Sequence, residues 1–265
     1  MLSNIHTHTT FSDGKNTPEE VVLAAIERGF VSIGFSDHSF TGFDTSYCIS
    51  DNEGYISTIN DLKEKYKNDI QIYLGIEEDA HAPLKHPHYD YVIGSSHYCL
   101  IDGVYYPVDS SDGFSALLKI FEADQNKMAQ AYYESFTSYI LKYKPDIVGH
   151  FDLITKYDEL NEPHFLSNKK YNEIAEGYLK KVVNCGSVFE LNTGAISRGY
   201  RKTPYPANNL LRIIKENDAP VILSADSHDA NSIDGSFNES KAILRDIGFT
   251  HAVCLYNGEF VKYKI

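Results

Sequence analysis

Eight short apolar runs alternate with longer segments of helical periodicity along this chain of 265 residues. Short apolar runs bounded by turn residues predict buried strands, and strands that alternate with helices are typical of a parallel sheet. The predicted strands are Ser3–Thr7, Val31–Ser36, Ile70–Glu77, Tyr91–Ser95, Ile147–Gly149, Val188–Asn192, Val221–Ala225 and Ala252–Tyr256. We therefore expect an α/β fold, an irregular (β/α) barrel of seven or eight units that occupies residues 1–265 as a single domain.

Two helical segments carry specific signals. Thr17 suits the N-cap of the first helix, Pro18 suits its first turn and Gly29 suits its C-terminal stop. The long segment Asp112–Tyr143 has helical periodicity throughout. Its apolar stripe, which we expect in the core, comprises Tyr132, Phe136, Tyr139 and Ile140.

Composition restricts the expected cellular location and binding partners of the protein. The four cysteines lie far apart without a CxxC pair, so we expect reduced thiols in a cytoplasmic protein. No stretch approaches the roughly 18 consecutive apolar residues of a membrane span. The net charge of −13 argues against stable binding to nucleic acid or anionic lipid, which depends on Lys and Arg. It leaves a small anionic substrate open.

Two pairs of metal-binding residue types occur at predicted strand ends. His6 and His8 are two residues apart, so their imidazoles lie on the same side of a strand. Asp226 and His228 repeat this spacing with one carboxylate and one imidazole, which are ligand types for zinc, manganese and iron. One such pair is weak evidence, whereas two pairs at converging strand ends indicate a metal site.

Further acids and imidazoles follow the other strands. Buried groups of these types are costly unless they are paired or coordinated, and the carboxyl ends of the strands of a barrel meet on one face. We therefore predict that they join a metal cluster on that face. These residues are Asp37, His38, Glu77, His97 and His150.

The ordered set of motifs resembles the polymerase and histidinol phosphatase (PHP) family. The stretch from Ile5 to Gly14 is similar to the opening motif of that family, and Ser36-Asp37-His38 is similar to its second. The remaining matches are Gly75-Ile76-Glu77, Gly94-Ser95-Ser96-His97, Gly149-His150 and Ser224-Ala225-Asp226-Ser227-His228. The resemblance implies a PHP-type barrel with a metal cluster at the C-terminal strand ends, and it is strongest to the histidinol-phosphatase branch.

Carried over by position, the resemblance implies three divalent ions, which could be Zn, Mn or Fe. It implies one metal site of His6, His8, Glu77 and Asp226, a second of Glu77, His97 and His150, and a third of Asp13, His38 and His228. Glu77 would bridge two ions. It is favoured over Glu78 and Asp79 because it follows the Gly-Ile pair. Asp37 either orients a ligand as part of the catalytic centre or caps the following turn.

The cluster predicts phosphate-ester hydrolysis. Divalent ions that share a carboxylate lower the pKa of a bound water and neutralise a phosphoryl group, so we expect in-line attack by a metal-bridging hydroxide. Arg198, just beyond a strand, is the expected phosphate-binding residue. Lys156 either binds phosphate too or is a solvated lysine, because Thr155 and Lys156 stand where histidinol phosphatases tend to carry an arginine.

The resemblance implies that the substrate is L-histidinol phosphate, a small phosphomonoester of histidine biosynthesis. Three alternatives stay open. The same metals would suit a phosphoesterase of nucleotides or RNA ends, or a phosphotyrosine-protein phosphatase. A domain of another class would hold metal without catalysis. The residues that recognise the imidazole and amine of the substrate and the general acid are not evident from the sequence.

Overall fold

The computed structural model describes residues 1–84, 88–160 and 165–265. The strands in these ranges are β1 (Ser3–Asn4), β2 (Ser32–Phe35), β3 (Gln71–Asp79), β4 (Tyr91–Ser95), β5 (Tyr98–Ile101), β6 (Val104–Pro107), β7 (Ile147–Val148), β8 (Val188–Asn192), β9 (Val221–Ser224), β10 (His251–Tyr256) and β11 (Glu259–Lys264). The helices are α1 (Pro18–Glu27), α2 (Asn52–Lys65), α3 (Ser111–Ile120), α4 (Gln125–Tyr143), α5 (Lys169–Val182), α6 (Gly194–Ser197), α7 (Asn208–Glu216) and α8 (Phe237–Ile247).

One curled sheet organises the molecule, in the order β1-β2-β3-β4-β7-β8-β9-β10-β11. Its strands run parallel except for the antiparallel pair β10 and β11. Beyond the ends of β1 and β9, a parallel bridge joins Thr7 to Ser227, and the His8 N–H donates to the Ser227 carbonyl at 2.8 Å. The first seven strands in this order therefore close into a ring at their carboxyl ends, which confirms the predicted irregular α/β barrel.

Tyr91 fills the interior of this ring. Its hydroxyl donates to the carbonyls of Ile5 and Phe35 at 2.5 and 3.1 Å, which ties the first two strands to β4. A Cβ at Gly75 would lie 2.2 Å from the ring of Tyr91, and one at Gly34 would lie 2.4 Å from its hydroxyl. Glycine is therefore required at both positions by close packing.

The helices lie outside the ring, and α1 begins and ends where its sequence predicts. The Thr17 hydroxyl accepts the N–H of Glu20, and the Glu20 carboxylate accepts the N–H of Thr17 at 2.8 Å, which forms a capping box. Gly29 adopts a left-handed φ of 72° after the helix. The stripe from Tyr132 to Ile140 is buried, as predicted.

The prediction of one helical segment over Asp112–Tyr143 is wrong at its centre. The segment divides into α3 and α4, with Glu122 and Ala123 in left-handed conformations at φ values of 52° and 60°. Asp124 then caps α4 by accepting the N–H groups of Asn126 and Lys127. Periodicity continues across the break because both helices bury apolar faces in the same core.

Three strands lay outside the sequence prediction. β5 and β6 form a hairpin after His97, with the turn at Asp102 and Gly103, and β11 pairs with β10 at the end of the chain. The hairpin projects above the carboxyl edge of the sheet because it starts directly after β4. No helix in the described ranges is both long and apolar enough to span a membrane.

Candidate metal centre

The nine predicted metal ligands converge at the carboxyl edge of the ring. Seven of the nine are buried, whereas Asp13 is exposed and His228 is half-buried. Groups of three or four of their ligand atoms lie within 4.8 Å of one another. The members are His6, His8, Asp13, His38, Glu77, His97, His150, Asp226 and His228. Parallel strands thus bring together side chains from positions 6 to 228 of the sequence.

Glu77 lies at the centre of this cluster, and each of its carboxylate oxygens faces different imidazoles. Oε2 lies 3.4 Å from Nε2 of His6 and 3.5 Å from Nε2 of His8. Oε1 lies 2.9 Å from Nε2 of His150 and 3.5 Å from Nε2 of His97. Because each oxygen can bind its own ion, this placement suits a carboxylate that bridges two metals.

The alternation of β3 separates Glu77 from its neighbours. Glu78 points to the helical layer, where its carboxylate accepts the hydroxyl of Tyr139 at 2.6 Å. Asp79 points to the same side of β3 as Glu77, but its carboxylate contacts His97 alone among the cluster imidazoles in the described ranges. Its Oδ2 accepts the His97 backbone N–H at 2.9 Å and lies 3.4 Å from Nδ1 of His97. Glu77 is therefore the acid of this trio at the centre of the cluster.

A second carboxylate, that of Asp13, gathers imidazoles nearer the surface. Its Oδ1 lies 3.7 Å from Nε2 of His38 and 3.9 Å from Nδ1 of His8. Its Oδ2 lies 3.3 Å from Nε2 of His228. The third predicted ligand set is therefore also assembled, with His8 beside it. His38 faces both groups, because its Nδ1 is 2.9 Å from Glu77 Oε2.

Asp226 closes the cluster from β9. Its Oδ1 lies 3.3 Å from Nε2 of His8 and 3.8 Å from Nε2 of His6. The residue has a φ of 46°, an uncommon conformation for a residue other than glycine and one that is found at functional sites. A Cβ on Gly194 would lie 2.8 Å from the Asp226 side chain, so glycine there leaves space for this carboxylate.

Two buried atoms in the cluster test whether a cation fits it. Within the described ranges, Nε2 of His6 and Nε2 of His8 make no hydrogen bond. Each such atom left unsatisfied costs about 1–3 kcal/mol. In a four-coordinate site with bonds of about 2.1 Å, neighbouring ligand atoms lie about 3.4 Å apart. The spacings of 3.4 and 3.5 Å match that value, so these residues fit a divalent cation.

Electrostatics keep the central carboxylate ionised. Burial opposes ionisation of Glu77, but the charges of His6 and His38 outweigh it and hold the pKa of this carboxyl well below its usual range. Burial likewise opposes ionisation of Asp226, and Arg198 beside it holds the pKa of that carboxyl well below its usual range. Both acids are therefore anionic at neutral pH and available to cations.

The imidazoles divide into two kinds. Burial, together with the charges of His228 and His38, lowers the pKa of His8 to about 3, so His8 is neutral and able to bind a metal. Burial also acts to lower the pKa of His97, yet Glu77 raises it to about 9. A metal must displace a proton from such an imidazole, so metal affinity should increase as the pH rises toward about 9.

Asp37 faces away from the imidazoles, toward the loop that follows β1. Its carboxylate accepts hydrogen bonds from the N–H of Thr9 at 2.7 Å and from the hydroxyl of Ser12 at 2.6 Å. These contacts brace the loop that carries Asp13. They are those of a residue that caps a loop, and the catalytic role of Asp37 stays a prediction.

Glu190 on β8 is a site residue that sequence reasoning missed. Its Oε1 lies 2.5 Å from Nδ1 of His6, and its Oε2 accepts the N–H of His150 at 2.7 Å. Asn192, two residues on, donates to Oε2 of Glu190 at 3.0 Å and to Asp226 at 3.2 Å. The available signal was a Glu-x-Asn pair on one face of an apolar strand.

A cavity of about 420 Å³ opens onto the cluster and contains both predicted phosphate-binding residues. Arg198 donates to Asp226 Oδ2 at 3.0 Å and lies 2.7 Å from Nδ1 of His228. Lys156 is buried, and its Nζ donates to the Asp109 carbonyl at 2.8 Å and lies 4.6 Å from the centre of the Tyr200 ring. Lys156 is thus a lining residue of the cavity rather than a solvated one.

The remaining histidines lie outside the cluster. The side chain of His81 is half-buried, and its Nε2 lies 3.0 Å from the carbonyl of Tyr98. His88 and His251 are exposed. His86 and His164 lie outside the described residues.

A curled parallel sheet with imidazoles and carboxylates at its carboxyl edge defines an α/β-barrel protein that carries its chemistry at that edge. Residues 4–194 match the PHP domain family, and the chain belongs to this family. The match covers seven of the nine predicted ligands, and Asp226 and His228 follow it in the sequence.

Several relatives and solved structures are similar over nearly the whole chain. A Schizosaccharomyces pombe protein named "Probable histidinol-phosphatase" is 27% identical, over 92% of this chain and 87% of its own length. The histidinol-phosphatase of Bacillus subtilis is 26% identical, over 86% of this chain and 94% of its own. The fold is similar to that of a Lactococcus lactis histidinol phosphate phosphatase solved with zinc, L-histidinol and phosphate. The TM-score is 0.76 at 21% identity, with coverage of 98% of this chain and 99% of that one.

Proposed function

We propose that this protein is a metal-dependent phosphomonoesterase that hydrolyses L-histidinol phosphate to L-histidinol and phosphate. The observation that carries the proposal is the placement of both Glu77 oxygens among five imidazoles beneath a cavity with two cationic side chains. The names of the S. pombe and B. subtilis relatives support this substrate. The reaction would belong to histidine biosynthesis, and we propose a cytoplasmic location for it.

The nine converging residues would hold three divalent ions, with Zn, Mn and Fe all suited to such ligands. Metals at these positions would supply a water of lowered pKa and would neutralise charge on the phosphoryl oxygens. Glu77 holds imidazoles that follow four strands, β1, β2, β4 and β7, around one carboxylate. Glu190 accepts from Nδ1 of His6 and so presents Nε2 to the cluster.

The cationic residues of the cavity bind and orient the ester. The guanidinium of Arg198 can bind two phosphoryl oxygens at once, whereas Lys156 supplies a single charge. The Arg198 side chain is 30% exposed in the cavity, so its donors can reach a ligand. These roles place the phosphoryl group between the cluster and Arg198, and the alcohol portion of the substrate in the rest of the cavity.

Phosphate release from a panel of esters tests the proposed substrate. The metal-loaded protein is assayed with L-histidinol phosphate, a nucleoside 3′,5′-bisphosphate, a 5′-phosphorylated oligonucleotide and a phosphotyrosine peptide. We expect kcat/KM for L-histidinol phosphate to exceed the others by about 100-fold or more, because a site shaped for one leaving group discriminates by differential binding. Preference for another ester would contradict the substrate, and no release from any of them would favour a non-catalytic metal-binding domain.

Removal of metal should destabilise the protein strongly. The metal-free cluster leaves buried carboxylates and imidazoles to compensate one another, whereas ions present at 1,000 times their Kd add about 4 kcal/mol of stability. For a chain of this size, that corresponds to a fall in Tm of roughly 10 °C. Differential scanning calorimetry before and after chelation, and again after metal is returned, measures the change. An unchanged Tm would show that the cluster does not hold metal in the native protein.

Substitution of Glu190 by glutamine tests its supporting role. The amide cannot accept from both the His6 imidazole and the His150 N–H as the carboxylate does, so we expect metal affinity to fall about 10-fold or more. Metal titration of the metal-free variant, followed by fluorescence of a competing chelator, measures this affinity. Glu239→Gln on the exposed face of α8 is the matched control and should leave it unchanged. Wild-type affinity in Glu190→Gln would argue against this role.

A further inference from the structure

Among the residues that the structure describes, four carboxylates line the cavity above the cluster, and three of them face basic side chains. Asp226 lies 3.0 Å from Arg198, and Asp109 Oδ2 lies 3.4 Å from Nζ of Lys156. Asp13 faces the cluster imidazoles, as described above. The charges of these three acids are therefore matched by groups that the protein itself supplies.

Asp44, the fourth carboxylate, is bound only by neutral donors within the described ranges. Its Oδ1 accepts the N–H and hydroxyl of Ser46 at 3.0 and 2.6 Å. Its Oδ2 accepts the hydroxyl of Tyr98 at 2.8 Å. These hydrogen bonds fix the carboxylate in place and leave its negative charge without a cationic partner. A half-buried anion of this kind at a cavity wall can receive the positive charge of a ligand.

Aromatic side chains flank Asp44 on that wall. Phe43 stacks on Tyr105 of the β5–β6 hairpin with ring centres 3.9 Å apart, and it meets Tyr98 edge to face at 4.9 Å. Tyr47 lies beside them in the cavity lining, with its ring 4.9 Å from that of His38. Tyrosine rings that surround a carboxylate favour cationic and imidazole-like groups over neutral ones.

The wall lies across the cavity from the phosphate-binding side. Asp44 belongs to the loop between β2 and α2, whereas Arg198 follows β8. In the ring of seven strands, β2 and β8 are separated by three strands in one direction and by two in the other. A ligand with an anion at one end and a cation at the other can therefore span the cavity between Arg198 and Asp44.

We propose that Asp44, supported by Tyr98, binds the protonated nitrogen of the alcohol portion of the substrate and selects for cationic phosphomonoesters. This inference rests on the proposed function, since it assigns the leaving-group end of the same site. Asp44 is a specificity residue that touches the part of the substrate remote from the phosphorus. It explains how a cavity with a phosphate-binding arginine can still prefer a substrate that carries positive charge.

Calorimetric binding to the metal-loaded protein tests the inference without depending on turnover. In Asp44→Asn, which keeps the shape of the side chain, we expect the Kd for L-histidinol to rise about 10-fold and the Kd for inorganic phosphate to stay within about twofold. Asp61→Asn, on the exposed face of α2, is the control and should change neither value. Thermal melting confirms that both variants are folded.

Steady-state kinetics give the second readout. KM for L-histidinol phosphate should rise in Asp44→Asn by about 10-fold with kcat changed less than threefold, because the lost contact is remote from the bond that breaks. Unchanged binding of L-histidinol, or an equal loss for L-histidinol and inorganic phosphate, would overturn the assignment. Failure of the wild-type protein to hydrolyse L-histidinol phosphate would instead contradict the proposed function, and the binding data would still decide the role of Asp44.

Discussion

Glu77→Gln is expected to lower kcat for L-histidinol phosphate by about 10³-fold or more, the largest effect of any single substitution in this chain. The amide keeps the shape of the side chain but removes the negative charge that faces five imidazoles. It also offers one oxygen where the carboxylate offers two, so it cannot serve two ions. Metal content measured by mass spectrometry should fall together with phosphate release.

Glu78→Gln is the matched control for this substitution. Glu78 is the next residue on β3 and is equally buried, but its carboxylate lies at Tyr139 rather than in the cluster. We expect this variant to be somewhat less stable and to keep kcat within a few-fold of the wild-type value. Activity that is insensitive to Glu77→Gln would contradict the central role of this carboxylate.

Arg198→Ala should raise KM for L-histidinol phosphate by about 100-fold, since a guanidinium that binds phosphate in two places contributes several kcal/mol. A smaller loss in kcat should accompany it, because Arg198 also contacts Asp226 and His228 at 3.0 and 2.7 Å. Arg198→Lys keeps the charge but cannot bind two phosphoryl oxygens at once. Its KM should therefore lie between those of the wild-type protein and Arg198→Ala. Steady-state kinetics check all three forms, and an unchanged KM in Arg198→Ala would remove it from the phosphate site.

Lys156→Ala provides a comparison within the same cavity. The Nζ of Lys156 is already held by Asp109 and lies over the ring of Tyr200, so only part of its charge is available to phosphate. We expect KM to rise by about 10-fold, less than in Arg198→Ala. An effect equal to that of Arg198→Ala would mean that the two cations bind the phosphoryl group jointly.

Most of the cluster residues could be predicted from the sequence because they lie at or shortly after the ends of predicted strands, whereas Asp13 was implied only by the resemblance to the PHP family. Parallel strands of a barrel end on one face, so His6, Glu77 and His150 converge although they are far apart in sequence. The Gly-Ile pair before Glu77 favoured it over Glu78 in the sequence, and the alternation of side chains on β3 gives the physical reason for that choice. Local sequence patterns were sufficient to predict the strands of the ring and the capped helix α1.

Other features depend on contacts between distant segments. Glu190 became a site residue through His6 and His150, which follow other strands, and the Glu-x-Asn pair that it forms with Asn192 does not by itself identify those partners. Asp44 lies in a loop whose position is set by the hairpin β5–β6. The break between α3 and α4 uses left-handed residues other than glycine, so no turn signal marked it.

Phosphate release from L-histidinol phosphate during stepwise return of metal to the metal-free protein tests the central claim most directly. Activity should be absent at first, rise with each equivalent of Zn, Mn or Fe, and level off near three ions per chain, because all three ligand groups converge on the same cavity. Full activity in metal-free protein, or no activity at full metal occupancy, would contradict a metal-dependent phosphatase centred on Glu77.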